Sequence, residues 1–260
     1  MIDGSARARR TALLACTLAS LACGGGGAGA ASDDASRRND TAGTKVAEAA
    51  SGNGQDARPS RTAERGRVLF VGTSLTAGLG LDPSEAYPAI IAGKIDSAGL
   101  PYTVVNAGVS GETSSGALRR IDWLLREPVD VVVLETGAND GLRAVPVATL
   151  RANIEGIVDR VRRARPGARV LLVQMEALPN FGPEYTSGFR EVYPEIAEEK
   201  GVTLVPFLLD GVAGEPALNQ PDGIHPTAEG ARIVAATVWE TLGPVLAERM
   251  AALDGAAGSQ

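Results

Sequence analysis

Val129-Asp130-Val131-Val132-Val133-Leu134-Glu135 is an almost unbroken apolar run, rich in β-branched side chains. A strand with no polar alternation has both faces buried, which is the habit of a central strand in a parallel sheet. Four shorter runs of the same character lie on either side: Arg67 to Gly72, Tyr102 to Asn106, Ala168 to Met175 and Val202 to Val205. Between them stand amphipathic stretches of helical length, Ser84 to Ser97, Ser114 to Arg126, Val147 to Arg165 and Pro183 to Lys200. A last helix is expected from about Thr227 to Leu242 or beyond. Strands alternating with helices mean an α/β protein, a five-stranded parallel sheet covered on both faces. Gly99-Leu100-Pro101 and Pro166-Gly167 punctuate two of the helix ends, and Pro226-Thr227 with Glu229 suits a helix start.

The chain has 260 residues, 44% hydrophobic but only 4% aromatic, so its core must be built from Val, Leu, Ile and Ala. A net charge of −6 argues against a nucleic-acid surface, which needs clustered Lys and Arg. The start of the chain is a different object. Arg7, Arg9 and Arg10 precede a short apolar run, Thr11 to Ala22, that ends at Cys23. This is the layout of a secretory signal, residues 1–22, and it is too short to span a bilayer. Ser20-Leu21-Ala22-Cys23 resembles a bacterial lipoprotein cleavage box, with Ser20 where leucine is usual; the alternative is an ordinary cleaved signal with a spare cysteine. Residues 23–65, rich in Gly, Ala, Ser, Asp and Arg, are expected to be a disordered tether. The folded domain is placed at 66–250 and a flexible tail at 251–260. The expected location is therefore outside the cytoplasm of a bacterium, periplasmic or tethered to the outer membrane through a lipidated Cys23.

Both cysteines, Cys16 and Cys23, fall in that leading segment, so the domain has no thiol for a disulfide, a metal cluster or a nucleophile. His225 is the single histidine of the chain, which rules out metal sites needing two or three imidazoles. No metal and no cofactor are expected. What one imidazole does best at neutral pH is shuttle a proton, and Asp222 lies three positions before it.

In open α/β sheets, ligands gather outside the carboxyl ends of the strands. Ser74 follows the first strand, Gly108 to Gly111 the second, Asn139 the third, and Asp222 with His225 the fifth. A hydroxyl is a poor nucleophile until a base takes its proton, and the i,i+3 spacing lets Asp222 reach Nδ1 of His225 and leave Nε2 for the serine. Gly111 offers an unobstructed backbone N–H and Asn139 a side-chain N–H for a developing oxyanion. Each has a plainer reading when taken alone: a helix cap for Ser74, a capping aspartate beside a surface histidine, a turn glycine, a loop asparagine. Their order at successive strand ends is what points to a serine hydrolase.

Gly72-Thr73-Ser74-Leu75, Asn106 to Thr113, Gly137-Ala138-Asn139-Asp140 and Asp222-Gly223-Ile224-His225-Pro226 resemble the four signature blocks of the SGNH (GDSL) hydrolases. The likeness is to the bacterial thioesterase I/arylesterase/lysophospholipase branch, and it runs from about Arg67 to Leu246, through Tyr87-Pro88-Ala89, Asp140-Gly141-Leu142-Arg143 and Tyr193-Pro194. A monomer is expected. The resemblance implies a three-layer α/β/α sandwich similar to flavodoxins, acting on small esters, acyl thioesters and lysophospholipids. It makes Ser74 the nucleophile, His225 the base and then acid, Asp222 its partner, and Ser74 N–H, Gly111 N–H and Asn139 the oxyanion donors. Two positions depart from the pattern: Thr73 replaces the namesake aspartate before the nucleophile, and Ala138 a common glycine.

Leu79, Tyr87, Leu142, Val145, Leu178, Pro179 and Phe181 are expected near the strand ends as the lining of an apolar substrate groove, with Leu142 to Val145 as its mobile lip. They serve equally well as core. Two other functions compete. A binding module could hold a phosphate or flavin at the helix following Ser74, although no Walker-type lysine or dinucleotide glycine spacing supports it. An envelope carbohydrate acetylesterase would use the same machinery, but Trp123 and Trp239, both in helical stretches and expected to be packed, give no sugar platform.

Overall fold

The structure, a computed structural model, describes residues 65–257. The secretory-signal and tether segments and the Cys23 box lie outside the described residues, apart from Arg65. In chain order the elements are β1 (Gly66–Gly72), α1 (Ser74–Ala77), α2 (Tyr87–Ser97), β2 (Tyr102–Gly108), α3 (Ser114–Leu124), β3 (Val131–Glu135), α4 (Ala138–Leu142), α5 (Val147–Ala164), β4 (Arg169–Val173), α6 (Pro183–Lys200), β5 (Thr203–Val205) and α7 (Ala228–Ala257). Short 3-10 turns at Pro83–Glu85 and Pro179–Phe181 complete them.

The five strands form one sheet in the order β2-β1-β3-β4-β5, all neighbours parallel. β3 is the middle strand and every one of its residues is buried, as the unbroken valine run requires. Helices α3, α5 and α6 pack side by side on one face, and α2 packs with α7 on the other, giving three layers. The packing follows the sequence period: α5 buries Leu150, Ile154, Ile157, Val158 and Val161, a single stripe along a helix of 3.6 residues per turn. Removing one such side chain, as in Ile157→Ala, should cost about 2–5 kcal/mol. An aromatic ladder starts at Phe181 in the preceding 3-10 turn and runs along α6 through Tyr185, Phe189 and Tyr193 at centroid spacings of 5.6, 5.9 and 5.8 Å. It ends with the Tyr193 hydroxyl donating to the Thr136 carbonyl just past β3. The helix itself continues through Pro194 to Lys200.

Two expectations are corrected. The segment from residue 251 is not a flexible tail up to Ala257, because α7 runs on through Pro244 to that residue. Trp123 is not packed: it stands 65% exposed on the last turn of α3, whereas Trp239 lies against the core. Asn139, which follows β3, sits in the short helix α4. None of the described helices is long and apolar enough to cross a membrane.

Candidate active site

The carboxyl ends of β1, β2 and β3 lie side by side, so the segments following them meet. β1 ends at Gly72, Thr73 caps α1 with an extended backbone, and Ser74 is the first residue of that one-turn helix. Placing a serine at the start of a helix raised directly on a strand end leaves its hydroxyl at the rim of the sheet. The turn is pinned from β2, where the Asn106 side chain donates to the Thr76 carbonyl at 2.8 Å and accepts the Gly108 N–H at 2.9 Å. A Cβ on Gly108 would overlap the backbone of Thr76 and Ala77, so this close approach requires glycine.

Across the cleft, the loop after β5 brings His225 to the serine. His225 Nε2 is 2.9 Å from Ser74 Oγ, and His225 Nδ1 is 2.6 Å from Asp222 Oδ2. The other oxygen of Asp222 accepts the backbone N–H groups of Ile224 (2.9 Å) and His225 (3.0 Å). These bonds, the His225 amide first, hold the Asp222 carboxyl down to about 2, well below the usual carboxylate range. The loop itself is fastened by Gln220, which the sequence did not single out. Its amide donates to Leu79 O (2.7 Å) beside α1 and to Pro226 O (2.9 Å), while its N–H bonds the His225 carbonyl (2.7 Å).

Gly111 and Asn139 are tied to one another through their neighbours. Asp140, fully buried, accepts from Ser114 N (2.8 Å) and Ser114 Oγ (2.6 Å) at the start of α3. Arg143 donates to the Gly111 carbonyl at 3.1 Å. Gly111 has φ +77, a left-handed backbone that suits glycine. The next residue, Glu112, pairs with Arg120, whose guanidinium also donates to Ala107 O at 2.7 Å. With a further contact to Gly72 O at 3.5 Å, Arg120 ties the block after β2 to the ends of both β1 and β2. Asp140, Ser114, Arg143, Arg120 and Gln220 are all residues whose roles sequence reasoning missed; only Asp140 and Arg143 stood in a quoted motif.

The groove residues divide. A crevice of about 10 Å³ beside Ser74 and His225, with room for no more than a water, contains Leu79 and the edge of Tyr87. A groove of about 400 Å³ begins at Leu75 and takes in Leu142, Leu178 and Pro179, together with Met175, Leu209, Ala213 and Ile224. Tyr87 is corrected to a core residue: it is 2% exposed, stacks edge-on to Phe70, and its hydroxyl bonds Thr76. Val145 and Phe181 are not on the groove wall. Val145 offers its carbonyl to the Tyr185 hydroxyl (2.8 Å), and Phe181 stacks on Tyr185. The expected lip, Leu142 to Val145, is hydrogen-bonded back to Asp140 and Gly141, and holds Ala144 at φ +50.

A hydroxyl, an imidazole and a carboxylate in one hydrogen-bonded line, beside an apolar groove, can transfer an acyl group through the serine. Comparison with known proteins agrees. Residues 70–233 match the GDSL-like lipase/acylhydrolase family. The chain is 41% identical over 180 residues to the esterase TesA of Pseudomonas aeruginosa, covering 69% of this chain and 89% of that protein. It is 34% identical over 187 residues to the thioesterase 1/protease 1/lysophospholipase L1 of Escherichia coli, covering 72% and 88%. Among solved structures, the psychrotrophic esterase EstA from Pseudoalteromonas sp., inhibited by monoethylphosphonate, superposes with a TM-score of 0.65 at 33% identity, covering 69% of this chain and 98% of that one.

Proposed function

Because this chain belongs to the GDSL-like lipase/acylhydrolase family, we propose that it hydrolyses carboxylic esters through an acyl-enzyme on Ser74. The observation that carries the reading is the continuous line Asp222–His225–Ser74, with links of 2.6 and 2.9 Å. Ser74 Oγ attacks the carbonyl carbon as His225 Nε2 takes its proton. Gly111 N–H, Ser74 N–H and the Asn139 side chain steady the oxyanion, and the alcohol leaves with the proton from His225. Water, activated by the same imidazole, then releases the acid.

The groove of about 400 Å³, lined by Leu75, Leu142, Met175, Leu178 and Ile224, favours an acyl chain over a sugar. This ranks fatty esters and thioesters ahead of carbohydrate acetates. Trp123 does not help the sugar reading, since it stands at the far end of α3 from the site. The leading segment, with Arg7 to Arg10 and Ser20-Leu21-Ala22-Cys23, supports export and lipid attachment at Cys23; radiolabelled palmitate would label the wild type and not Cys23→Ser.

The deciding experiment is hydrolysis of short- and long-chain nitrophenyl esters by wild type and Ser74→Ala. Loss of turnover in the variant is expected, and wild-type turnover by Ser74→Ala would end the scheme. An ethylphosphonate reagent, by analogy with the EstA inhibitor, should inactivate the wild type with one label at Ser74.

A further inference from the structure

Beneath Ser74 lies a carboxyl that the reaction scheme does not use. Glu135, the last residue of β3, is fully buried. Its Oε2 accepts the Thr73 backbone N–H at 2.7 Å and the Thr76 hydroxyl at 2.9 Å, and the Thr73 hydroxyl is 3.0 Å from both of its oxygens. The Thr76 hydroxyl spends its proton on Glu135, so it receives one from the Tyr87 hydroxyl 2.8 Å away. Thr73 and Thr76 are as buried as Glu135. One carboxyl on the central strand therefore grips the residue before Ser74 and the residue two after it, from below, out of reach of any substrate.

We propose that Glu135 is the positioning residue of the nucleophile turn, and that Thr73 is matched to it. Three donors converge on this group: one amide and two hydroxyls. A carboxylate accepts all of them; a carboxamide, with one acceptor oxygen and two N–H groups, does not. The match explains the departure at position 73. Threonine places a hydroxyl donor against Glu135, whereas the aspartate of the usual block would put a second carboxyl in the same dry space. Two carboxyls that close cannot both ionise, so one must keep a proton. The titratable groups that feel Glu135 are Tyr87 from α2 and Tyr193 from α6, both held in the protonated form by burial. With threonine, the turn needs no shared proton to keep its shape.

The inference rests on Ser74 being the nucleophile, and the test separates the two. In the full-length protein, nitrophenyl butyrate hydrolysis and the rate of phosphonylation are measured from pH 6 to 10 for Thr73→Val, Thr73→Asp, Glu135→Gln and Ser74→Ala. The phosphonylation amplitude counts intact sites. Thr73→Val and Glu135→Gln should lose on the order of 10- to 100-fold in kcat per intact site, with KM little changed and phosphonylation slowed by the same factor, as for a misplaced nucleophile. Thr73→Asp should lose activity relative to wild type progressively as pH rises, because the shared proton leaves. Wild-type kcat in Thr73→Val and Glu135→Gln, a loss accounted for by fewer intact sites, or a Thr73→Asp ratio independent of pH would each overturn the proposal. If Glu135→Gln does not fold, the two Thr73 variants decide alone, since both keep the carboxyl. Activity in Ser74→Ala would instead strike the proposed function.

Discussion

Asp222 holds His225 by two routes at once: Oδ2 meets the ring at Nδ1, and Oδ1 accepts the amide of the same residue. The second route survives in Asp222→Asn, because an amide oxygen also accepts the two backbone N–H groups. The first does not, because an amide NH₂ facing Nδ1 forces the ring proton onto Nε2, where it can no longer accept from Ser74. The turn should keep its shape while kcat falls by about 10⁴. Steady-state kinetics beside a crystal structure of the variant would check this; a loss below tenfold would make the carboxylate dispensable.

The oxyanion reading predicts a different signature. Asn139→Ala removes a donor needed only when charge develops, so kcat should fall about 10²- to 10³-fold with KM nearly constant. Asn139 lies in the short helix α4, outside the sheet, and alanine is a good helix former, so the variant should fold. A rise in KM with unchanged kcat would place Asn139 in substrate binding instead.

Gln220 closes the loop of His225 onto α1 by donating to Leu79 O and Pro226 O. Losing both bonds in Gln220→Ala should cost about 1–3 kcal/mol of stability. It should also lower kcat, because His225 and Ser74 are carried on the two segments that Gln220 joins. Denaturant unfolding and kinetics on the same preparation test both; an unchanged kcat would mean that the loop is fixed without this side chain.

The apolar groove gives a chain-length prediction. Ala213 is exposed on its wall, so Ala213→Phe adds bulk without touching the core. The kcat/KM for a dodecanoyl ester should drop several-fold while that for an acetyl ester stays level. A uniform change across chain lengths would mean that the acyl group lies elsewhere.

Much of this was legible in the residues. The valine run of β3 and the stripe of α5 are periodic signals that local chemistry sets, and the structure follows both. Ser74, Asn139, Asp222 and His225 could be named because each follows a strand. Other features depend on tertiary neighbours. Tyr87 sits in a motif near the site, yet only packing against Phe70 and Thr76 makes it core. Gly243-Pro244 looks like a helix stop, but α7 continues through it because its face beyond, including Leu246, is still buried on the sheet. Trp123 is apolar but lies off the buried stripe of α3, between Ile121 and Leu125, which the core covers, so it faces outward. The links that position the site, Gln220, Arg143 and Glu135, join segments far apart in the chain, and no spacing rule connects them.

Glu135 also makes a prediction about stability with a definite sign. Burial raises its pKa above the ordinary 4.5, against the pull of the Thr73 and Thr76 donors. A carboxyl raised in the folded state binds its proton more tightly there than in the unfolded chain. Its contribution to stability is therefore fully present below about pH 4.5 and is lost as pH rises through the folded-state value. Asp222 runs the other way: lowered from 3.8 to about 2, it stabilises above pH 3.8, and that contribution fades as pH falls toward 2. From pH 4 to 7 the slope assigned to Glu135 should stand without interference from Asp222. Glu135→Gln cannot titrate, so the Tm of the variant relative to wild type should improve as pH rises above 4.5 until the folded-state carboxyl has ionised, whatever its value at pH 4. A difference in Tm that stays constant from pH 4 to 7 would mean that Glu135 gives up its proton as readily in the fold as out of it.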